Sequence, residues 1–163
     1  MASILKVYNC FDPVVRLKAK EVTKADKEIQ GLIEDMMKTM YAAGGVGLAA
    51  PQIGKSLQII VCCPTFKQGE ELVLLNPVIQ SSQGSWVFEE GCLSVPDIRA
   101  KVKRAKKVVV TGMDRKGNQV KVSADGMMAR VLQHEIDHIN GILFIDRLGF
   151  LKKKLVMRKL RPL

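Results

Sequence analysis

The sequence predicts an α+β fold, with short antiparallel β-sheets packed around a central C-terminal helix. Three observations predict it. Apolar residues recur at the helical period in two separated stretches, 24 to about 42 and 123 to about 140. Between them lie short β-branched runs punctuated by Gly, Pro, Asn and Asp. Those runs follow one another through short turns, which favours antiparallel pairing.

The elements follow in order. Tyr8 to Arg16 reads as an extended arm that turns at Asp12-Pro13. Ile29, Leu32, Ile33, Met36, Met37, Met40 and Tyr41 give the N-terminal helix its apolar face, and Gly44-Gly45 ends it. Gly45 to Gly54 reads as a tight loop. It has neither the Gly-Lys-Ser/Thr of a phosphate loop nor a dinucleotide fingerprint. Leu57 to Pro64 is a buried strand. Leu72 to Leu75 is another, broken at Asn76-Pro77 and resumed at Val78-Ile79, with 81–85 as a loop. Trp86 to Phe88 is short and apolar and runs into Glu89 to Pro96. Arg99 to Val110 holds two strand segments. Met113 to Asn118 turns the chain, and Gln119 to Val122 returns. Ser123-Ala124-Asp125 offers caps for the central helix, whose apolar face is Met127, Met128, Val131, Leu132, Ile136 and Ile139. Ile142 to Ile145 reads as a short strand. From Gly149 the chain is a short basic C-terminal helix.

A chain of 163 residues suits one domain, 1–163, with a basic tail over 148–163. No apolar run reaches the length of a membrane span, and the N-terminus lacks a secretory signal's apolar core, so a cytoplasmic location is expected. The four cysteines form no Cys-x-x-Cys pair, which argues against a ribbon-type zinc site and for free thiols. Adjacent Cys62 and Cys63 should face opposite ways on a strand. The net charge of +10 is concentrated in two clusters. One is Arg99, Lys101, Lys103, Arg104, Lys106 and Lys107; the other is Arg147, Lys152, Lys153, Lys154, Arg158, Lys159 and Arg161. They read either as polyanion-binding surface or as solvated faces.

The central helix carries both histidines of the chain in His134-Glu135-Ile136-Asp137-His138. Residues four apart share a helix face, so two imidazoles can point at one metal ion with Glu135 beside it to move a proton. Two solvated histidines would have to fall at this spacing by coincidence. A catalytic site of this kind has three protein ligands and an open position. After Glu135 the chain has no further glutamate, and Phe144 occupies the place where a third histidine would complete H-E-x-x-H-x-x-G-x-x-H. The third ligand must come from upstream, among Cys92, the other cysteines and the acids. Cys92 lies in a turn of small residues between strands.

Gly45-Val46-Gly47-Leu48-Ala49-Ala50-Pro51-Gln52, Glu90-Gly91-Cys92-Leu93-Ser94 and Gln133 to His138 together resemble the three motifs of the peptide deformylases, in order and spacing. The similarity runs from the N-terminal arm to about Arg147. Pro51 departs from the threonine of many members. The resemblance implies removal of the formyl group from N-terminal formyl-methionine of nascent chains, releasing formate. It implies a metal held by Cys92, His134 and His138, usually Fe(II), with zinc, nickel or cobalt able to substitute. It implies Glu135 as the proton carrier, with Gln52 and the Leu93 backbone N–H as oxyanion donors. A substrate would lie extended beside Val46-Gly47 and Glu90-Gly91. Its methionine pocket would be lined by Val46, Phe88, Met127, Val131 and the His134 ring. Arg99 is expected to pair with Glu90 and hold that loop. The basic tail could dock on ribosomal RNA; neither a membrane nor a specific nucleic acid is expected as a partner. Two other readings compete: a metallopeptidase, disfavoured by the missing downstream ligand, and a basic RNA-binding protein with a structural metal, which would need a fourth ligand.

Overall fold

The computed structural model describes residues 1–160. It contains three helices, α1 (Lys27–Ala42), α2 (Gly126–Ile139) and α3 (Phe150–Lys159). Seven strands lie among them: β1 (Gly47–Ala49), β2 (Ile59–Cys62), β3 (Leu72–Gln83), β4 (Trp86–Cys92), β5 (Val95–Arg104), β6 (Lys107–Met113) and β7 (Gln119–Asp125). Five form one sheet in the order β1-β2-β3-β6-β7, and β4 and β5 form a separate two-stranded sheet. Every strand pair is antiparallel. The α+β architecture is the one expected from the sequence.

Helices cover both faces of the five-stranded sheet. The period-two alternation of β2 sends Ile60 and Cys62 to one face with Leu74, Val108 and Val110. There they meet Ala129, Leu132, Ile136 and Ile139 of α2. Ile59, Val61 and Cys63 go to the other face, against Ile33, Met36 and Met40 of α1. The adjacent cysteines thus lie on opposite sides, and all four cysteines are free. A third apolar cluster joins Val95 and Val102 of β5 to Leu143, Phe144, Ile145 and Leu148 beyond α2, with Val156 and Leu160 packed on it. Asp26 caps α1 by accepting the Ile29 N–H at 3.0 Å.

Several local expectations are corrected. The stretch from Gly45 to Gly54 is not simply a loop: it holds β1 and a 3-10 turn, Ala50–Ile53. Asn76-Pro77 does not interrupt a strand, because β3 runs through it with an irregularity. Asn76 takes a positive φ of 51°, and its side chain bonds the Val22 backbone at both ends. Ser81 to Gln83 pair with β6 rather than looping. Ser123 to Asp125 complete β7; of these candidates Asp125 stands at the N-cap of α2, though its side chain makes no cap bond. The strand expected at 142–145 is a 3-10 helix, Phe144–Arg147. Gly141 ends α2 with φ +74°, and a Cβ there would meet the Arg16 carbonyl, so glycine is required on both counts. Of the basic tail, Arg161 and the two residues after it lie outside the described residues.

Candidate metal centre

The site forms where α2 passes between the free edges of the two sheets. β1 pairs only with β2, and β4 only with β5. Between those edges and α2 lies a cleft of about 490 Å³. Among its lining residues are Val46, Gly47, Gln52, Phe88, Glu90, Gly91, Cys92, Leu93, Met127, Val131, His134 and Glu135. All the expected pocket residues therefore come together at one cleft. His138 stands just behind it, 1% exposed.

The helical spacing of α2 and the end of β4 bring three donor atoms to one point. Cys92 Sγ lies 3.2 Å from His138 Nε2, which lies 3.2 Å from His134 Nε2. The three ligand atoms all fall within 4.8 Å of one another. The chemistry of this set fits a divalent metal ion. Glu90 Oε2 stands 3.0 Å from His134 Nδ1, so Nδ1 carries a proton and Nε2 is the nitrogen that faces Cys92 and His138. Burial pushes the His138 imidazolium below its ordinary range, and neighbouring His134 pushes it further, which keeps that ring neutral and able to bind. The Ser94 backbone N–H donates to Cys92 Sγ at 3.4 Å, and Gln52 Nε2 lies 3.6 Å from it. These donors suit a thiolate. Three protein ligands leave a position open, as a catalytic site needs.

Glu135 occupies the same helix turn, 3% exposed, with Oε2 unpartnered. Burial pushes its carboxyl up to about 7, partly offset by neighbouring His134. A carboxyl poised near neutrality can both accept and return a proton. Its approach to β1 is close: a Cβ on Gly47 would overlap Glu135 Oε1 and lie 2.9 Å from both Glu135 Cδ and Val131 Cγ1. Only glycine leaves the carboxylate its place.

Gln52 is 2% exposed and held at both ends of its amide. The Ala49 N–H donates to Oε1 at 2.9 Å, and Nε2 donates to Ser94 Oγ at 3.2 Å. The Ala49 bond fixes which end of the amide faces the cleft. The N-terminal arm crosses behind, with Tyr8 N–H on the Gln52 carbonyl and Cys10 N–H on the Ser94 carbonyl, each at 2.7 Å.

The expected Arg99–Glu90 pair is not formed. Arg99 Nε bonds Glu89 at 3.2 Å on the surface. Glu90 points inward, where Arg104 grips both its oxygens at 2.8 and 3.0 Å and Arg130 Nη1 adds a third bond at 2.7 Å. Alternation along β4 puts Glu89 and Glu90 on opposite faces, and Arg99 is on the side of Glu89. Burial alone would raise the Glu90 carboxyl; His134 and Arg104 outweigh it and hold the group well below the carboxylate range. Arg104 also donates to Asp137 at 2.6 Å, and Arg147 grips Asp137 at 2.6 and 3.1 Å. Arg104 therefore leaves the basic surface cluster in which the sequence placed it, while Arg147 stays exposed as it grips Asp137. Sequence reasoning missed Ser94, Arg104 and Arg130 as site residues. The signal was there for two: Arg104 shares a β5 face with apolar Val102, and Arg130 sits between Ala129 and Val131 on the buried side of α2.

Known proteins resemble this chain in sequence and fold. A model of the polypeptide deformylase family matches residues 4–154. A peptide deformylase of Thermodesulfovibrio yellowstonii is 42% identical over 161 residues, 98% of each chain. One from Halothermothrix orenii is 51% identical over 145 residues, 88% of this chain and 93% of the relative. A crystal structure of a peptide deformylase from Legionella pneumophila superposes with a TM-score of 0.93 at 48% identity, covering 96% of this chain and 93% of that one. A Synechococcus elongatus peptide deformylase in complex with actinonin gives a TM-score of 0.91 at 39% identity, covering 98% and 92%.

Proposed function

The chain belongs to the polypeptide deformylase family, hydrolases that remove the N-terminal formyl group of nascent polypeptides, and we propose how its residues divide that work. Cys92, His134 and His138 hold a catalytic divalent metal ion. The observation that carries this reading is the convergence of one sulfur and two imidazole nitrogens, 3.2 Å apart in sequence of contact, beside an unpartnered buried carboxylate. When bound, the metal supplies Lewis acidity, polarising the formyl carbonyl and lowering the pKa of water in the position the three ligands leave open.

The chain's own residues do the rest. Glu135 takes the proton of the attacking water and delivers it to the leaving amine. Gln52 Nε2 and the Leu93 N–H donate to the oxygen as it gains charge; one Gln52 N–H turns from Cys92 Sγ to do so, while the Ala49 bond keeps the amide oriented. The peptide adds as an extended strand between the edges of β1 and β4, read mainly by its backbone at Val46-Gly47 and Glu90-Gly91. Its methionine side chain enters among Val46, Phe88, Met127, Val131 and the His134 ring.

Fe(II) is the occupant we favour, with zinc, nickel or cobalt able to substitute, since one thiolate and two imidazoles suit several of these ions. Iron with a thiolate ligand makes the protein air-sensitive. A nascent-chain substrate places the work in the cytoplasm; among the described residues no helix is long and apolar enough to cross a membrane. The basic face of α3 is a candidate ribosome contact. Lys153 is bonded to Asp146, which leaves Lys152, Lys154, Arg158 and Lys159 for that role. Unchanged co-sedimentation with ribosomes after deleting 150–163 would remove this part.

The test of the reading is formate release from a formyl-methionyl tripeptide by iron- or nickel-loaded protein. Stoichiometric release is expected. Cleavage of an internal peptide bond without formate would favour a peptidase instead.

A further inference from the structure

One residue outside the three motifs ties the side-chain pocket to the metal ligand. Trp86, Phe88 and Glu90 lie two apart along β4 and share a face. Arg130 of α2 reaches all three across the cleft. Its Nη2 donates to the Trp86 carbonyl at 2.5 Å, while Nη1 donates to Glu90 Oε1 at 2.7 Å and to the Val102 carbonyl at 3.0 Å. Its guanidinium carbon lies 4.9 Å from the centre of the Trp86 ring and 5.8 Å from that of Phe88. The two rings are tilted on each other with centres 4.8 Å apart. Phe88 is 40% exposed, so a wall made of this ring alone would swing. The Trp86 ring and the guanidinium brace it. Arg130 itself is 2% exposed although it lines the cleft, and its Nε has no partner. The side chain thus spans two elements at the expense of one donor.

We propose that Arg130 is a positioning residue, a strut between α2 and β4 that sets the width of the pocket for the substrate's first side chain and couples it to His134 through Glu90. This rests on the deformylase reading of the site. Lysine is a poor substitute, because its compact ammonium lacks the planar, spread fork that reaches the Trp86 and Val102 carbonyls and Glu90 while lying against two rings. A purely structural ion pair would support stability and metal binding alone. A strut also governs which side chain fits.

The experiment compares wild type, Arg130→Lys, Arg130→Met and Trp86→Leu, each nickel-loaded, on formyl-methionyl and formyl-phenylalanyl tripeptides of otherwise identical sequence. It reads kcat and KM separately, nickel per chain, and calorimetric Kd for the matching deformylated tripeptides. The preference for methionine over phenylalanine in KM and in product Kd should fall about tenfold in all three variants, the scale of a methylene-sized change of fit. Arg130→Met should also weaken nickel binding by about tenfold or more, since the group supporting His134 loses a donor. Trp86→Leu leaves the Arg130–Glu90 bond in place and should keep its nickel while losing selectivity. A preference unchanged within twofold in Arg130→Lys and Trp86→Leu would overturn the proposal; should Arg130→Met not fold, Trp86→Leu decides it alone. A wild type that released no formate would fail the deformylase reading, while product binding would still test the strut.

Discussion

Replacing Gly47 by alanine tests the placement of Glu135 with a single added methyl. The backbone of Gly47 is not in the left-handed region, so alanine is conformationally acceptable there and the effect is steric alone. The new Cβ would overlap Glu135 Oε1 and press on Glu135 Cδ and Val131 Cγ1, each at 2.9 Å. Glu135 is 3% exposed, so the only room its carboxylate has is within the cleft it lines. The carboxylate must retreat by about 1 Å, a misplacement that costs roughly 100-fold in rate. Overpacking costs a further 1–3 kcal/mol of stability, roughly. The three donors at the metal do not touch Gly47, so metal content should stay at the wild-type level. Steady-state formate release by nickel-loaded Gly47→Ala is the assay. Gly45→Ala is the comparison, because its one tight contact would be Leu93 Cδ1 at 2.9 Å, the far end of a side chain that can shift, with the Gly47 carbonyl at an ordinary 3.4 Å. A kcat for Gly47→Ala within twofold of wild type, with metal bound, would refute the role given to Glu135.

Other expectations follow from the same geometry. Cys92→Ala should bind metal far more weakly and lose activity in parallel, measured as metal per chain after dialysis. Arg104→Met leaves Glu90 and Asp137 short of a buried partner and should cost about 3–5 kcal/mol in urea unfolding. The loss should fall near the lower end, because Arg130 and Arg147 remain. Burial alone would raise the Asp146 carboxyl, yet Lys153, the Leu143 N–H and Arg16 hold it below the usual range. A depressed folded pKa contributes stability above the unfolded value, about 3.9, and loses it as pH falls through the folded one. Asp146→Asn should therefore lower the urea midpoint at pH 7 and make progressively less difference below about pH 4. Arg99→Ala should change stability by less than about 1 kcal/mol, since its pair with Glu89 is exposed.

The two long helices, the hairpin at 113–118 and the placing of His134 and His138 on one helix face were legible because each is governed by local pattern, helical period or turn chemistry, whereas Cys92 came forward only through the resemblance of the three motifs. The strand and 3-10 assignments that changed were settled by tertiary pairing. Ser81 to Gln83 are polar but extend β3 by pairing with Val109, Val108 and Lys107 of β6, and Asn76 can sit inside β3 because its side chain replaces ladder bonds with bonds to Val22. The buried charges were harder to see. Arg104 reads as one more cation in a basic run until β5 is turned so that residues 102 and 104 face inward. The choice between Arg99 and Arg104 as the partner of Glu90 depends on the face each occupies, which alternation fixes only once the β4–β5 register is known.

The division of the centre between a strand and a helix, with one sulfur from β4 and two imidazoles from α2, is tested most directly by X-ray absorption of the zinc-loaded protein. The predicted spectrum has one sulfur at about 2.3 Å and two imidazole nitrogens at about 2.0–2.1 Å, with the sulfur lost in Cys92→Ala. A first shell of nitrogen and oxygen alone, or one holding two sulfurs, would contradict it.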